Sequence, residues 1–160
     1  MKKIILLIVA CVFMQQNYGQ ELIKIDYSDF KSNPFLDNAT YKDFISLTYN
    51  TEAGIANVYR NSTDISNKEN TIKVIRLQSK NISALNQSFN FSSSVEIIII
   101  EVSEPNLNID LIDCKTINRF NNLKYIFYKY KIDIKNDKDL KKIKCLPVNI
   151  KQVYSKIFTT

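Results

Sequence analysis

Val95-Glu96-Ile97-Ile98-Ile99-Ile100-Glu101-Val102 is the stretch on which the reading of the fold turns. Its four consecutive isoleucines are all β-branched, stiff at χ1 and suited to a pleated, mostly dry surface. Such a run fits a strand buried on one face and partly covered on the other. The Ser92-Ser93-Ser94 lead-in and Pro105 behind it favour strand over a short buried helix.

Working outward, Ile72–Leu77 reads as the preceding strand, Leu123–Tyr130 as the next and Ile143–Val148 as a weaker fourth. Each places apolar residues at its first, fourth and sixth positions: Ile72, Ile75, Leu77; Val95, Ile98, Ile100; Leu123, Ile126, Tyr128; Ile143, Leu146, Val148. The start-to-start distances are 23, 28 and 20 residues. Between the strands lie polar connectors with scattered anchors: Ile82, Leu85, Phe89 and Phe91 in the first; Leu107, Ile109, Leu111, Ile112, Ile117 and Phe120 in the second. Towards the N-terminus, Glu21–Ile25 is a short strand or tether and Tyr27–Asn38 a loop. Thr40–Thr51 fits a helix loosely, with Thr40 to cap it and Gly54 to end it. Ile55–Tyr59 is a possible strand, and Asn61–Asn70 is polar and loop-like.

The spacing resembles the leucine-rich repeat, whose period is about 20 to 29 residues and whose strand reads L-x-x-L-x-L. The best local match is Ile117-Asn118-Arg119-Phe120-Asn121-Asn122-Leu123-Lys124-Tyr125-Ile126, and the resemblance runs over residues 72–150, about half of the chain that follows a leader. The family's turn Asn or Cys is replaced by Lys80, Ser103, Lys131 and Lys151, with only Asn81 close by, and the strand residues are mostly Ile, Val and Tyr. The resemblance implies an α/β fold: a short solenoid with a parallel sheet over 71–160 and an N-terminal cap over 20–70. The other architecture the pattern allows is a small α+β domain with a mixed sheet.

The first residues read as a leader. Met1-Lys2-Lys3 is positive, Ile4–Met14 apolar and Gln15–Gly19 polar, which predicts a signal peptide over 1–19 with cleavage near Gly19. The apolar run is shorter than the roughly 20 residues that span a bilayer. Ile8-Val9-Ala10-Cys11 also fits a lipobox, so a lipid anchor at Cys11 is the rival; it would cut the apolar run short before Val12-Phe13-Met14. The expected product is one exported domain, 20–160, with no transmembrane segment, secreted, periplasmic or at the cell surface. Charge is uneven within it. Gln20–Cys114 carries eight basic and thirteen acidic residues, whereas Lys115–Thr160 carries twelve basic and three acidic. That excess hints at an anionic partner, although a solvated basic face in an Asn-, Lys- and Ile-rich chain explains it as well. Cys114 and Cys145 remain after cleavage, and in an exported protein they form a possible disulfide or two free thiols.

The chemistry is defined largely by what is missing. The chain has no histidine, so the usual general base and every Ser-His or Cys-His nucleophile pair are absent. It has two glycines, one of them in the leader, so a glycine-rich phosphate loop is excluded. No C-x-x-C motif occurs, and no catalytic residue, metal site or cofactor is expected. Carboxylates such as Glu96, Glu101, Asp110 and Asp113 leave an exported hydrolase open, but surface charge explains them more simply. The repeat resemblance instead implies recognition by the strand residues between the buried ones: Lys73, Arg76, Gln78; Glu96, Ile99, Glu101; Lys124, Phe127, Lys129. From these and their neighbours, the candidate ligand contacts are Arg76, Lys124, Tyr125, Phe127, Lys129 and Tyr130. The expected function is a non-enzymatic binding module for a protein or polysaccharide, with a hydrolase or a structural envelope protein as alternatives. Base stacking on Lys124–Lys131 is disfavoured by export, so no nucleic-acid partner is expected. Five Asn-x-Ser/Thr sequons, at Asn38, Asn61, Asn81, Asn86 and Asn90, read as chance in a bacterial-looking composition.

Overall fold

The computed structural model describes residues 22–25, 39–49, 52–105, 112–136 and 140–157; the side chains of 39–41 and 114 fall outside that set. The proposed leader with Cys11, the loop before residue 39, the anchors Leu107, Ile109 and Leu111, and Asp110 lie outside the described residues.

Strand β1 (Leu22–Lys24) is followed by helix α1 (Ala39–Tyr49), then β2 (Gly54–Val58), β3 (Thr63–Ser66) and β4 (Ile72–Gln78). Two 3-10 helices, Ser79–Asn86 and Ser92–Ser94, lead to β5 (Ile97–Val102). The single-turn helix α2 (Cys114–Ile117) leads to β6 (Tyr125–Tyr130), and β7 (Lys151–Lys156) follows. The strands form one seven-stranded sheet in the order β1-β7-β6-β5-β4-β2-β3. All neighbours are parallel except the β2–β3 hairpin, so the fold is α/β with a mixed sheet and few helices. Among the described residues, no helix is long and apolar enough to cross a membrane.

The isoleucine run is even drier than its sequence suggests: Ile97, Ile98, Ile99 and Ile100 are each at most 1% exposed. Alternation sends Ile98 and Ile100 to one face and Ile97 and Ile99 to the other. On the first face Ile75, Leu77, Ile98, Ile100, Ile126 and Tyr128 pack under connector anchors Ile82, Leu85, Ile117 and Phe120. On the second, Val74, Ile97, Ile99, Tyr125, Phe127 and Val153 pack under Phe44 and Leu47 of α1. Phe44 meets Tyr125 and Phe127 edge-on, with ring centroids 5.3 and 5.1 Å away, a geometry that adds about 1 kcal/mol to area burial.

Successive connectors are bonded to one another. Gln87 Nε2 donates to Arg60 O in the β2–β3 turn (2.9 Å), and Asn122 Nδ2 donates to Ser93 O (2.7 Å). Arg119 Nη2 donates to the carbonyls of Leu85, Asn86 and Gln87 at 3.2–3.3 Å, satisfying the end of the longer 3-10 helix.

Three expectations are corrected. Ile143–Val148 is not a strand; the fourth parallel strand is β7. Pro147 has no N–H for a ladder, and Val148 is 91% exposed. The backbone of Ile143 is held by a buried side chain instead. Its N–H donates to Gln152 Oε1, Gln152 Nε2 donates to its carbonyl, and Tyr128 Oη donates to the same Oε1, all at 2.9 Å. Second, Asn61–Asn70 contains β3. Asn67, which tolerates a left-handed backbone, turns the chain at φ 54° and donates from Nδ2 to Ala53 O (3.2 Å). Third, Gly54 does not end the helix but opens β2. A Cβ there would lie 2.6 Å from Asn70 O and 2.9 Å from Thr71 O, so the close approach of the β3–β4 turn requires glycine. The segment expected to cap a solenoid end is spread over the sheet: β1 pairs with β7 at one edge, β2 and β3 extend the other, and α1 lies across a face.

Candidate ligand-binding site

The residues that the repeat resemblance set between the buried ones lie in three rows across β4, β5 and β6. Lys73, Glu96 and Lys124 are joined at the strand starts by Glu96 N–H to Lys73 O and Lys124 N–H to Glu96 O, each 2.8 Å. Arg76, Ile99 and Phe127 are in register, followed by Gln78, Glu101, Lys129 and, on β7, Ser155. One face of a parallel sheet therefore carries a charged row at its entry end, a middle row that is apolar except for Arg76, and a charged row at its exit end.

The entry row is closed on itself. Lys73 Nζ lies 2.8 Å from Glu96 Oε1, and Lys124 Nζ lies 2.6 Å from Glu96 Oε2 and 2.9 Å from Asp43 Oδ2 of α1. Burial pushes the Glu96 carboxyl up, but Lys124 and Lys73 together outweigh it and hold the group below the usual carboxylate range. Hydrogen bonds from Lys124 to Glu96 and Asp43 hold that ammonium above its ordinary value. Beside this row a cleft of about 330 Å³ opens between α1 and the starts of β2 and β4, lined by Asp43, Ser46, Glu52, Asn70, Thr71 and Lys73 among others.

The middle is covered. Tyr125 is 4% exposed and Phe127 1%, both beneath Phe44, so neither belongs to an accessible contact surface. Tyr130 is on the opposite face. It is 2% exposed and packs beside Tyr128 and Tyr154 in the connector-side core, and burial pushes its phenol up to about 12. The same cause raises Tyr128 further.

The cations towards the exit end behave differently. Arg76 and Lys129 are partly buried, and among the described residues neither has an ion-pair or hydrogen-bond partner. Glu101, which lies in register between Gln78 and Lys129, is engaged by Lys131 Nζ at 2.7 Å. Burial pushes the Lys129 ammonium below the ordinary lysine range; Glu101 opposes this, and Arg76 and Lys131 reinforce it. The cluster thus holds three cations against one carboxylate. It sits at the carboxyl ends of parallel strands, where open α/β sheets commonly bind ligands.

Of the six expected contacts, the structure brings Arg76 and Lys129 together, ties Lys124 into the entry network and buries Tyr125, Phe127 and Tyr130. Lys131 and Ser155 were not foreseen. Lys131 follows β6 and so escapes the strand pattern, and Ser155 lies on β7, whose polar sequence gave no strand signal.

Among the described residues, no group of three or more His, Cys, Asp or Glu is placed to hold a metal ion. Cys145 is disulfide-bonded, and the side chain of Cys114, the partner considered for it in the sequence, lies outside the described residues. Asp113 accepts the Lys115 N–H at the start of α2 (2.9 Å), remote in sequence and role from the Glu96 network.

No protein-family model, curated protein or solved structure matches this chain.

Proposed function

We propose that the chain is an exported, non-enzymatic binding module, built as a short leucine-rich-repeat-like stack, that holds a protein or polysaccharide at the carboxyl ends of its parallel strands. One observation carries this reading: β4, β5, β6 and β7 stand parallel in chain order, with their connectors on one face, and present in-register polar rows on the other. Bonding between successive connectors supports the stacked-unit description. The contact surface is narrower than the strand face first expected, because α1 covers Tyr125 and Phe127. It centres on Arg76, Gln78 and Lys129.

The hydrolase reading draws no support from Glu96. Two lysines stabilise its charged form, the reverse of what a general acid needs at neutral pH.

The test is retention on immobilised full-length protein from a defined panel of polysaccharides and purified extracellular proteins. A retained partner should be lost from the Arg76→Ala/Lys129→Ala variant and kept by Lys124→Ala. Retention equal in all three moves the contact surface elsewhere. Turnover of a panel glycan, instead of retention, overturns the non-enzymatic reading.

A further inference from the structure

Partly buried cations are normally paired, because desolvation penalises an isolated charge. The entry row obeys this rule, with Lys73 and Lys124 sharing Glu96. Arg76 and Lys129 do not: Glu101, the carboxylate in register with Lys129, is 2.7 Å from Lys131, and among the described residues neither cation has an ion-pair partner. The other members of the Lys129 row, the exposed Gln78 amide and the buried Ser155 hydroxyl, can hydrogen-bond but add no negative charge to that of Glu101. Lys131 occupies Glu101, which reduces the repulsion that carboxylate would exert on an incoming anion.

We infer that the exit end of the sheet is an oxyanion site, in which Arg76 of β4 and Lys129 of β6 grip a sulfate, phosphate or carboxylate group of the ligand. The fork of Arg76 suits two oxygens of a planar or tetrahedral anion, and Lys129 supplies a point charge beside it. The group is either a free anion or one unit of an anionic glycan. The basic excess of Lys115–Thr160, to which Lys129 and Lys131 belong, favours the polymer by drawing it to this part of the chain. This inference rests on the binding-module reading and specifies the chemistry of its ligand.

The experiment titrates the full-length protein with inorganic sulfate and with inorganic phosphate, at constant ionic strength against chloride. The readouts are calorimetry and the thermal midpoint. Saturable binding is expected, weakened roughly tenfold by Arg76→Gln or Lys129→Met and abolished by the pair, because each removes a charge-assisted contact. Lys124→Met, at the other end of the same face, should leave it unchanged, and unchanged near-ultraviolet circular dichroism establishes that each variant is folded. A sulfated glycan and a polyuronate are then added in place of the small anions. Binding at least tenfold tighter than that of the inorganic ion identifies the glycan as the source, and equal binding identifies the free anion. The absence of saturable binding of either small anion and of either glycan overturns the inference, as does binding that survives the double substitution. If panel capture persists while all the anions fail, the oxyanion assignment falls and the binding-module reading stands. If nothing at all is retained, both fall.

Discussion

Lys73, Glu96, Lys124 and Asp43 form a continuous chain of ion pairs at the entry end of the sheet, whereas Arg76 and Lys129, on the same face at its exit end, have no such partner among the described residues. The same residue types on the same strands thus meet two electrostatic fates. Where the pairing is complete, the charges stabilise a surface that positions α1. Where it is incomplete, the fold carries an unsatisfied demand for negative charge, and that is the more informative end for function.

The contrast depends on α1 lying between the two ends, and removing its anchor is the harshest way to break it. Phe44→Ala deletes a fully buried ring held edge-on by Tyr125 and Phe127, and should cost about 3–5 kcal/mol in urea denaturation. A loss below about 1 kcal/mol would mean that α1 does not seal the apolar row.

The next two substitutions apply the same operation, loss of one charge, at each end. Glu96→Gln should destabilise by about 1 kcal/mol, because it removes the common partner of Lys73 and Lys124 while leaving both lysines substantially in water. Lys129→Met should be neutral or stabilising by up to about 1 kcal/mol, because burial penalises this charge more than Glu101 favours it. If both variants destabilise equally, the two rows are not electrostatically different.

The smallest effect is the pH dependence. Glu96 is held below 4.5 in the folded chain, so its contribution is present above that value and fades as the pH falls through its lowered folded pKa. The stability difference between the native protein and Glu96→Gln should therefore vanish in acid. Lys129 has the opposite signature. Its folded pKa lies below 10.5, so stability should rise with pH between the folded value and 10.5. That alkaline increment should be missing from Lys129→Met in parallel denaturation curves.

The connector-side core was legible because alternation and β-branching act locally. Ile75 and Leu77, Ile98 and Ile100, Ile126 and Tyr128 occupy the face their spacing assigned them. β7 was not legible, because Gln152 and Ser155 are buried polar residues; Gln152 draws its hydrogen bonds from Tyr128 and Ile143, neither of them near it in sequence. The more apolar Ile143–Val148 therefore looked like the better strand, although Pro147 already argued against it. At the site, the middle and exit rows follow from strand period, which also places Tyr130 on the same face as Tyr128, away from Lys129. The entry row does not, because strict alternation would put Lys73 and Arg76, three residues apart, on opposite faces. Burial of Tyr125 and Phe127 was beyond local reasoning. It depends on a helix whose described contribution to the core is chiefly Phe44 and Leu47, a stripe too thin to reveal where the helix docks.

The pairing of β1 with β7 has a consequence for the order of assembly. From β4 onward, each strand finds its neighbour about one connector upstream, so a chain delivered from its N-terminus can zip the wall together as it emerges. Leu22–Lys24 is the exception: available from the outset, it has nowhere to dock until Lys151–Lys156 arrives beside it. The earliest of the described strands is thus among the last to be seated.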